Sequence, residues 1–312
     1  MTSTADAAAP AAVMCPPARV KTLIGNYPNT AALRTGQIAS DRVTLVFDPA
    51  TKPAHAFKRA VQGEFDVAEL SIVTYLIAQA QGYPLALMPA VMFSRVQHPY
   101  VVYDIERGPM RPVDLHGKRV GVAYYTTATS TWLRDVLAAD YGVDLTRLTW
   151  VVQESPHVPE FKDPPNVERA PAGVDLVAML LSGEIDALIM TPVPEHPRLV
   201  RLIPDANVAA DAWLRHHRHL QLNHMVVARK DLIQERPEVI QEVWRMLVAA
   251  KRVGAAKSNA SAAPGMDMVP YGLTALRPHL DAAIDCVHRQ GLIRRRPPVD
   301  ELFDDVTSAL TA

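Results

Sequence analysis

Gly63-Glu64-Phe65-Asp66-Val67-Ala68 returns later in the chain as Gly183-Glu184-Ile185-Asp186-Ala187-Leu188. In each copy an apolar trio at helical spacing runs up to the glycine: Phe57, Ala60 and Val61 in the first, Val177, Leu180 and Leu181 in the second, in the same register. Such a trio is the buried stripe of an amphipathic helix. A glycine just past the last periodic residue can take the left-handed conformation that closes a helix, and the short apolar run after the aspartate reads as a buried strand. The repeated unit is therefore helix, glycine cap, strand. A Gly-acidic-apolar-Asp string is also a common helix-to-strand turn and could recur by chance, but the matching register argues against that. Two copies predict two lobes of one design.

On either side of these units apolar runs alternate with helical patterns, the arrangement that gives a mostly parallel sheet with helices on both faces. Strands are expected near 20–24, 43–47, 67–70, 86–92, 100–103, 119–123, 149–152, 187–190 and 225–228, with helices between most of them. Pro53 and Pro237 stand at first-turn positions, where a missing N–H costs nothing, and Gly291 closes a helix carrying Leu276, Leu280, Ala283, Ile284 and Val287. Residues 153–172 are rich in proline and charge and read as a long loop, a type of segment that is usually functional or disordered. Residues 258–270 read as a surface connection.

The chain has 312 residues, 49% of them hydrophobic, enough for one or two buried cores. A formal net charge of -1 lacks the basic excess that phosphate neutralisation demands, so no nucleic-acid partner is expected, and the Arg294-Arg295-Arg296 run reads as a solvated helix exit. Cys15 and Cys286 form neither a disulfide framework nor a metal quartet and read as free thiols. Residues 1–18 are mainly Ala, Pro, Ser and Thr and read as a disordered tail rather than a secretion signal. The sequence contains no run of about 18 apolar residues that could span a bilayer. A cytoplasmic protein with no membrane partner is expected.

Longer strings carry a family resemblance. GEFDVAELSIVTYL at 63–76, FSRVQH at 93–98, LHGKRVGVAYYTTATSTWLRDVLAADYGV at 115–143, LSGEIDALI at 181–189 and QGLI at 290–293 together resemble 4,5-dihydroxyphthalate decarboxylases, over roughly residues 20–305. The resemblance implies an α/β, two-lobed type II periplasmic-binding-protein-like fold, with crossing strands between lobes and the ligand in the cleft. Lobe I is then expected from 19–114 plus 225–312, and lobe II from 115–224. The family's first strand ends in a Gly-Asp-Tyr-Asp-Arg-like string. Here it reads Gly25-Asn26-Tyr27-Pro28-Asn29, without the two acids and the arginine, which leaves the substrate open.

Removing CO2 from an electron-rich aryl carboxylate needs an ionised ring hydroxyl to push electrons, a proton for the ring carbon, and a cation to anchor a second carboxylate. No organic cofactor is demanded, and a divalent metal stays open. Arg95 and His98, in a Ser-Arg-x-x-His string before the 100–103 strand, read as carboxylate anchor and proton donor beside the cleft, against the blander reading of a surface arginine and a capping histidine. Glu69 breaks an apolar strand pattern, either as a base or acceptor in the cleft or as a charge at the start of the helix at Ser71. Thr126, Thr127, Thr129 and Ser130 precede a helix whose N-terminus suits a carboxylate, although N-capping needs only one hydroxyl. His224, after Asn223, should reach the cleft on the returning strand. His98 is favoured over His224 as the proton carrier. Asn26, Tyr27, Ser71 and Asn223 complete the candidate substrate contacts.

His216, His217 and His219 match no structural zinc spacing and read as a solvated helix or loop. His157 is either part of a lid or a surface residue. Trp132 and Trp244 read as core. Two function classes remain. One is a cofactor-independent decarboxylase of a hydroxylated phthalate-type dicarboxylate, taking 4,5-dihydroxyphthalate or a close analogue to protocatechuate. The other is a cytoplasmic solute-binding or sensing protein that closes on a small aromatic acid. In both, the partner is a small aromatic carboxylate, and a homo-oligomer is allowed.

Overall fold

Both glycines of the repeated phrase stand in the left-handed region, Gly63 at φ 77° and Gly183 at φ 84°, a conformation that side chains with a Cβ resist. The aspartates that follow make the same tie in both copies. The Asp66 carboxylate accepts from the Lys21 backbone N–H at 2.8 Å, and the Asp186 carboxylate from the Arg119 N–H at 3.0 Å. Their own N–H groups donate back to the Lys21 and Arg119 carbonyls. Each phrase therefore closes a helix and pins the next strand to its neighbour.

The computed structural model describes residues 16–49, 52–257 and 266–312. Their strands are β1 (Ala18–Leu23), β2 (Val43–Phe47), β3 (Val67–Ser71), β4 (Leu85–Ser94), β5 (Val101–Asp104), β6 (Arg119–Val122), β7 (Thr149–Val152), β8 (Val167–Arg169), β9 (Ala187–Ile189), β10 (Leu199–Arg201) and β11 (Leu222–Arg229). The helices are α1 (Ala31–Arg34), α2 (Phe57–Val61), α3 (Ile72–Ala80), α4 (Ala128–Ala139), α5 (Leu176–Ser182), α6 (Ala206–His217), α7 (Lys230–Glu235), α8 (Pro237–Lys257), α9 (Leu273–Arg289) and α10 (Asp305–Ser308). One sheet runs β2-β1-β3-β11-β4 and the other β10-β5-β9-β6-β7-β8. In the first, β2, β1 and β3 are parallel while β11 is antiparallel to both β3 and β4. The second repeats this in β7, β6 and β9, with β5 antiparallel to β9 and β10. The duplicated phrase thus feeds equivalent strands, β3 and β9, of a two-lobed α/β fold.

In each sheet the antiparallel strand beside the duplicated one has crossed over from the other lobe. This moves the boundaries expected from sequence: β5, inside the 19–114 span expected for lobe I, belongs to the second sheet, and β11 joins the first sheet from Leu222 rather than 225. The crossings are the short segments 95–100 and 218–221. Of the expected tail, residues 1–15 lie outside the described residues, and Ala18 already pairs with Val43 in β1.

Three apolar clusters fill the lobes. Val20, Val67, Met88, Val226, Ile240 and Leu247 pack between the first sheet and α8. Leu70, Leu76, Trp132, Trp150, Leu280 and Ile284 belong to a cluster continuous across both lobes, and Val102, Leu180, Ile185 and Leu188 lie under α5. Trp132 and Trp244 are core, as the helical spacing indicated. In α5 the fully buried positions are Leu176, Met179 and Leu180, with Val177 and Leu181 half-buried. The stretch 153–172 is not a bare loop. It contains β8, sends Val158 into the core, and places Glu160 within 2.9 Å of the Tyr83 hydroxyl. Of the connection 258–270, residues 258–265 lie outside the described residues, while Val91 N–H donates to the Pro270 carbonyl, so its end packs on β4.

Candidate active site

Glu69 sits in the middle of β3, fully buried, in a row with Val67 and Ser71 on one sheet face. On β11, Val226 pairs with Glu69 and His224 with Ser71, so Glu69 and His224 are diagonal neighbours on that face. The pairing of β11 with β4 shifts register on both sides of His224, an irregularity of the kind that re-aims side chains beside active sites. His224 Nδ1 lies 2.6 Å from Glu69 Oε1. Two further donors reach the same carboxylate: the Tyr27 hydroxyl to Oε1 at 2.5 Å and the Gly25 N–H to Oε2 at 2.8 Å. Phe57 meets the His224 ring edge-on at 5.1 Å and Phe93 lies 5.7 Å away. With Nδ1 engaged, Nε2 is the ring nitrogen left for chemistry.

Tyr27 reaches Glu69 because position 25 is glycine. A Cβ there would stand 2.5 Å from the Tyr27 ring. The phenol is pushed well above its ordinary pKa by burial, with the Glu69 charge adding to it, so it serves as a donor. Tyr27 is thus a prop for the carboxylate rather than part of the cleft wall. Asn26 beside it is exposed and lies away from the cleft, whereas Asn29 is buried, with its side-chain amide toward the Met92 carbonyl.

Above this floor is a cavity of about 440 Å³ lined by Ser71, Phe93, Arg95, Asn223 and His224 from the first lobe and its crossings, and by Tyr124, Thr127, Thr129, His157, Met190 and Thr191 from the second. Small-molecule sites are commonly of this size. Larger hollows exist, one around Trp213 and one around Phe161, but neither holds the Glu69–His224 pair or Arg95. Arg95 reaches across the cleft, donating through Nη2 to Thr129 Oγ1 at 3.1 Å and Thr191 Oγ1 at 3.0 Å. Its guanidinium lies over the Tyr100 ring at 4.2 Å, and among the described residues no carboxylate pairs with it. Burial lowers its pKa, which marks a cation whose hydration is replaced only in part. Asn223 of β11 holds the first crossing by accepting from the Arg95 N–H and from Gln97 Nε2.

His98 does not join the cleft. It opens the turn between β4 and β5, which aims it at α6, where it is buried against Trp213 at 6.1 Å. Burial, with His217 nearby, holds its pKa down at about 4. Of the two histidines considered as proton carriers, His224 lines the cleft, and His98, the one favoured from sequence, does not. The four hydroxyls before α4 also have separate jobs. Thr127 caps the helix by accepting from the Ser130 N–H, Ser130 is buried against the Tyr124 and Tyr125 carbonyls, Thr129 holds Arg95, and Thr126 is buried outside the cavity lining. Ser71 Oγ is buried at the cavity edge without a partner among the described residues. His217 and His219 are half-buried around Trp213 rather than solvated.

Sequence reasoning passed over Phe57, Tyr124 and Thr191. Tyr124 and Thr191 follow β6 and β9 directly, at the strand ends where an α/β cleft opens, and that position was the signal available. Among the described residues no group of three or more His, Cys, Asp or Glu is placed to hold a metal, and no helix is long and apolar enough to cross a membrane.

No family model matches the chain. It is similar to two curated 4,5-dihydroxyphthalate decarboxylases. One, from Comamonas testosteroni, is 28% identical over 90% of this chain and 94% of the relative; the other, from Pseudomonas putida, is 32% identical over 62% of this chain and 80% of the relative. Among solved structures, the periplasmic aliphatic sulphonate binding protein SsuA from Escherichia coli matches with a TM-score of 0.56 at 12% identity, over 92% of this chain and 97% of that one. That likeness establishes the periplasmic-binding-protein fold. Together with the strings spread from residue 63 to residue 293, the similarity to the two curated relatives means that the chain belongs to the 4,5-dihydroxyphthalate decarboxylase family.

Proposed function

We propose that the protein removes CO2 from a hydroxylated aromatic dicarboxylate of the phthalate type, with 4,5-dihydroxyphthalate and protocatechuate as the first substrate and product to test, and without an organic cofactor. The observation that carries the reading is the Glu69–His224 contact, 2.6 Å long, on the floor of a cavity whose wall holds Arg95 without a carboxylate partner. Family membership sets the reaction class, a carboxy-lyase.

In this scheme Arg95 receives a substrate carboxylate in its planar donor fork, while Thr129 and Thr191 hold the fork in place. The ring hydroxyl para to the departing carboxylate supplies electron density. His224, oriented through Nδ1 by Glu69, delivers a proton from Nε2 to the ring carbon that carries that carboxylate. The carbon–carbon bond then breaks, its electron pair returns to the ring, and neutral CO2 leaves. His224 regains its proton from solvent. Glu69 stabilises the imidazolium and fixes the tautomer of the neutral ring, and Tyr27 and Gly25 hold Glu69.

The test is incubation of chelator-treated protein with 4,5-dihydroxyphthalate, following CO2 and protocatechuate. Tight binding with the ligand recovered unchanged would instead make the protein a receptor for an aromatic acid. Because Asn26, Pro28 and Asn29 depart from the family string, related hydroxylated dicarboxylates belong in the same screen.

A further inference from the structure

His157 is a second histidine of the cleft that the scheme above leaves unused. It lies between β7 and β8 in the second lobe, 6% exposed, and its ring forms part of the cavity wall. Its placement is well defined. Nδ1 is 3.3 Å from Thr74 Oγ1 on α3 of the first lobe, Phe57 of α2 meets the ring edge-on at 5.5 Å, and Tyr124 lies against it at 4.5 Å. The next residue, Val158, is in the core, and Glu160 accepts from the Tyr83 hydroxyl of the first lobe, so the segment is held on both sides of Val158. His157 is thus neither a surface residue nor a loose lid.

The other ring nitrogen, Nε2, is buried and has no hydrogen-bond partner among the described residues. Stripping water from an imidazole nitrogen without replacing the bond is costly, so an unpartnered buried nitrogen calls for an explanation, and a bound ligand that supplies the partner is one. We propose that His157 is a substrate-contacting residue, whose Nε2 exchanges a hydrogen bond with a ring hydroxyl of the bound aromatic acid while Thr74 fixes the orientation of the imidazole. This rests on the decarboxylase reading and adds to it the group that distinguishes a hydroxylated ring from a bare one. Burial, and secondarily the nearby His224, hold the pKa of His157 down at about 4. At neutral pH it is an uncharged partner, suited to a hydroxyl, while Arg95 takes the charge. A site built to bond a hydroxyl discriminates strongly against the analogue lacking it, because its own polar group is then left unpaired.

The experiment compares two unreactive ligands, protocatechuate and benzoate, which differ only in the two ring hydroxyls. Dissociation constants are measured by calorimetry for wild type, His157→Phe and His157→Gln, alongside CO2 release from 4,5-dihydroxyphthalate. His157→Phe is expected to lose roughly 10-fold of the preference for protocatechuate, the size of one hydrogen bond, with benzoate binding unchanged. His157→Gln, which keeps a donor and an acceptor, should retain most of that preference and covers the case in which the Phe variant does not fold. Equal weakening of both ligands, or an unchanged preference in an enzyme that still releases CO2, would overturn the assignment for His157 alone. Wild type that binds neither ligand and releases no CO2 would remove the decarboxylase reading and the role of His157 with it.

Discussion

Replacing Glu69 with glutamine tests the site at its most constrained point. The carboxylate accepts three hydrogen bonds, from Gly25 N–H on Oε2 and from Tyr27 and His224 on Oε1, in a place with no solvent. An amide has one accepting oxygen. If that oxygen faces Tyr27 and His224, the NH2 group points at the Gly25 N–H, and a buried donor loses a bond to a charged acceptor, which costs about 1.5–3 kcal/mol. If the amide is turned the other way, the Tyr27 hydroxyl can rotate to accept, but His224 Nδ1 must also accept from the NH2 group. The proton of the neutral ring then moves to Nε2, and the counter-charge for the imidazolium is gone. The first arrangement lowers stability and the second lowers turnover. Because the second keeps the buried Gly25 N–H bonded and displaces only the hydroxyl proton of half-buried Tyr27, we expect Glu69→Gln to fold, with kcat reduced roughly 10²–10⁴-fold, the span of a positioned proton-transfer group. The assay is protocatechuate formation under saturating substrate, with thermal melting as the control for folding. A folded Glu69→Gln enzyme with wild-type kcat would refute the role of the pair.

The other predictions address its neighbours. Arg95→Ala should mainly raise KM, by about 10–100-fold as expected for one or two bonds to a charged group, and a KM near wild type in steady-state kinetics would remove Arg95 as the anchor. His98→Gln should leave kcat close to wild type, since His98 is packed on Trp213 outside the cavity; a large loss of kcat in a folded variant would return His98 to the chemistry. Gly25→Ala drives a Cβ into the Tyr27 ring, and overpacking of this kind costs about 1–3 kcal/mol; a lower melting temperature together with a lower kcat is the expected result. His98 and His157 are both held at about 4, below the ordinary 6.5, by burial. Their neutral native forms are stable above pH 6.5; below it the unfolded chain binds protons that the native state refuses, so stability should fall as pH drops from 6.5 towards 4. Melting curves of the His98→Gln, His157→Gln double variant should show a shallower decline, and an identical decline would contradict the sign.

All nine strands expected from apolar runs are present, because a buried strand in such a sheet is marked by composition: Val67, Ala68 and Leu70, and Ala187, Leu188 and Ile189, are apolar wherever the chain passes next. The two strands not anticipated, β8 and β10, are edge strands only half-covered by other layers, with burial too weak to leave a pattern. Lobe membership was harder to read. Nothing local in Val101–Asp104 says which sheet it joins; that is decided by the antiparallel slot beside β9.

By itself the sequence determined that the design is doubled, since glycine at 63 and 183 and aspartate at 66 and 186 are local necessities of closing a helix and pinning a strand. It also marked Glu69 as out of place, because an acid in an apolar strand needs a partner. What that partner is, only the tertiary structure decided. Glu69 and His224 are far apart in the chain and meet because β11 returns antiparallel to β3 with a shifted register against β4. His98 shares its segment with Arg95, yet a single turn aims one at α6 and the other into the cleft. Composition and spacing record what a residue can do, whereas direction across a turn and pairing between distant strands are set by packing, and a proton can pass only between groups that packing has brought within a hydrogen bond.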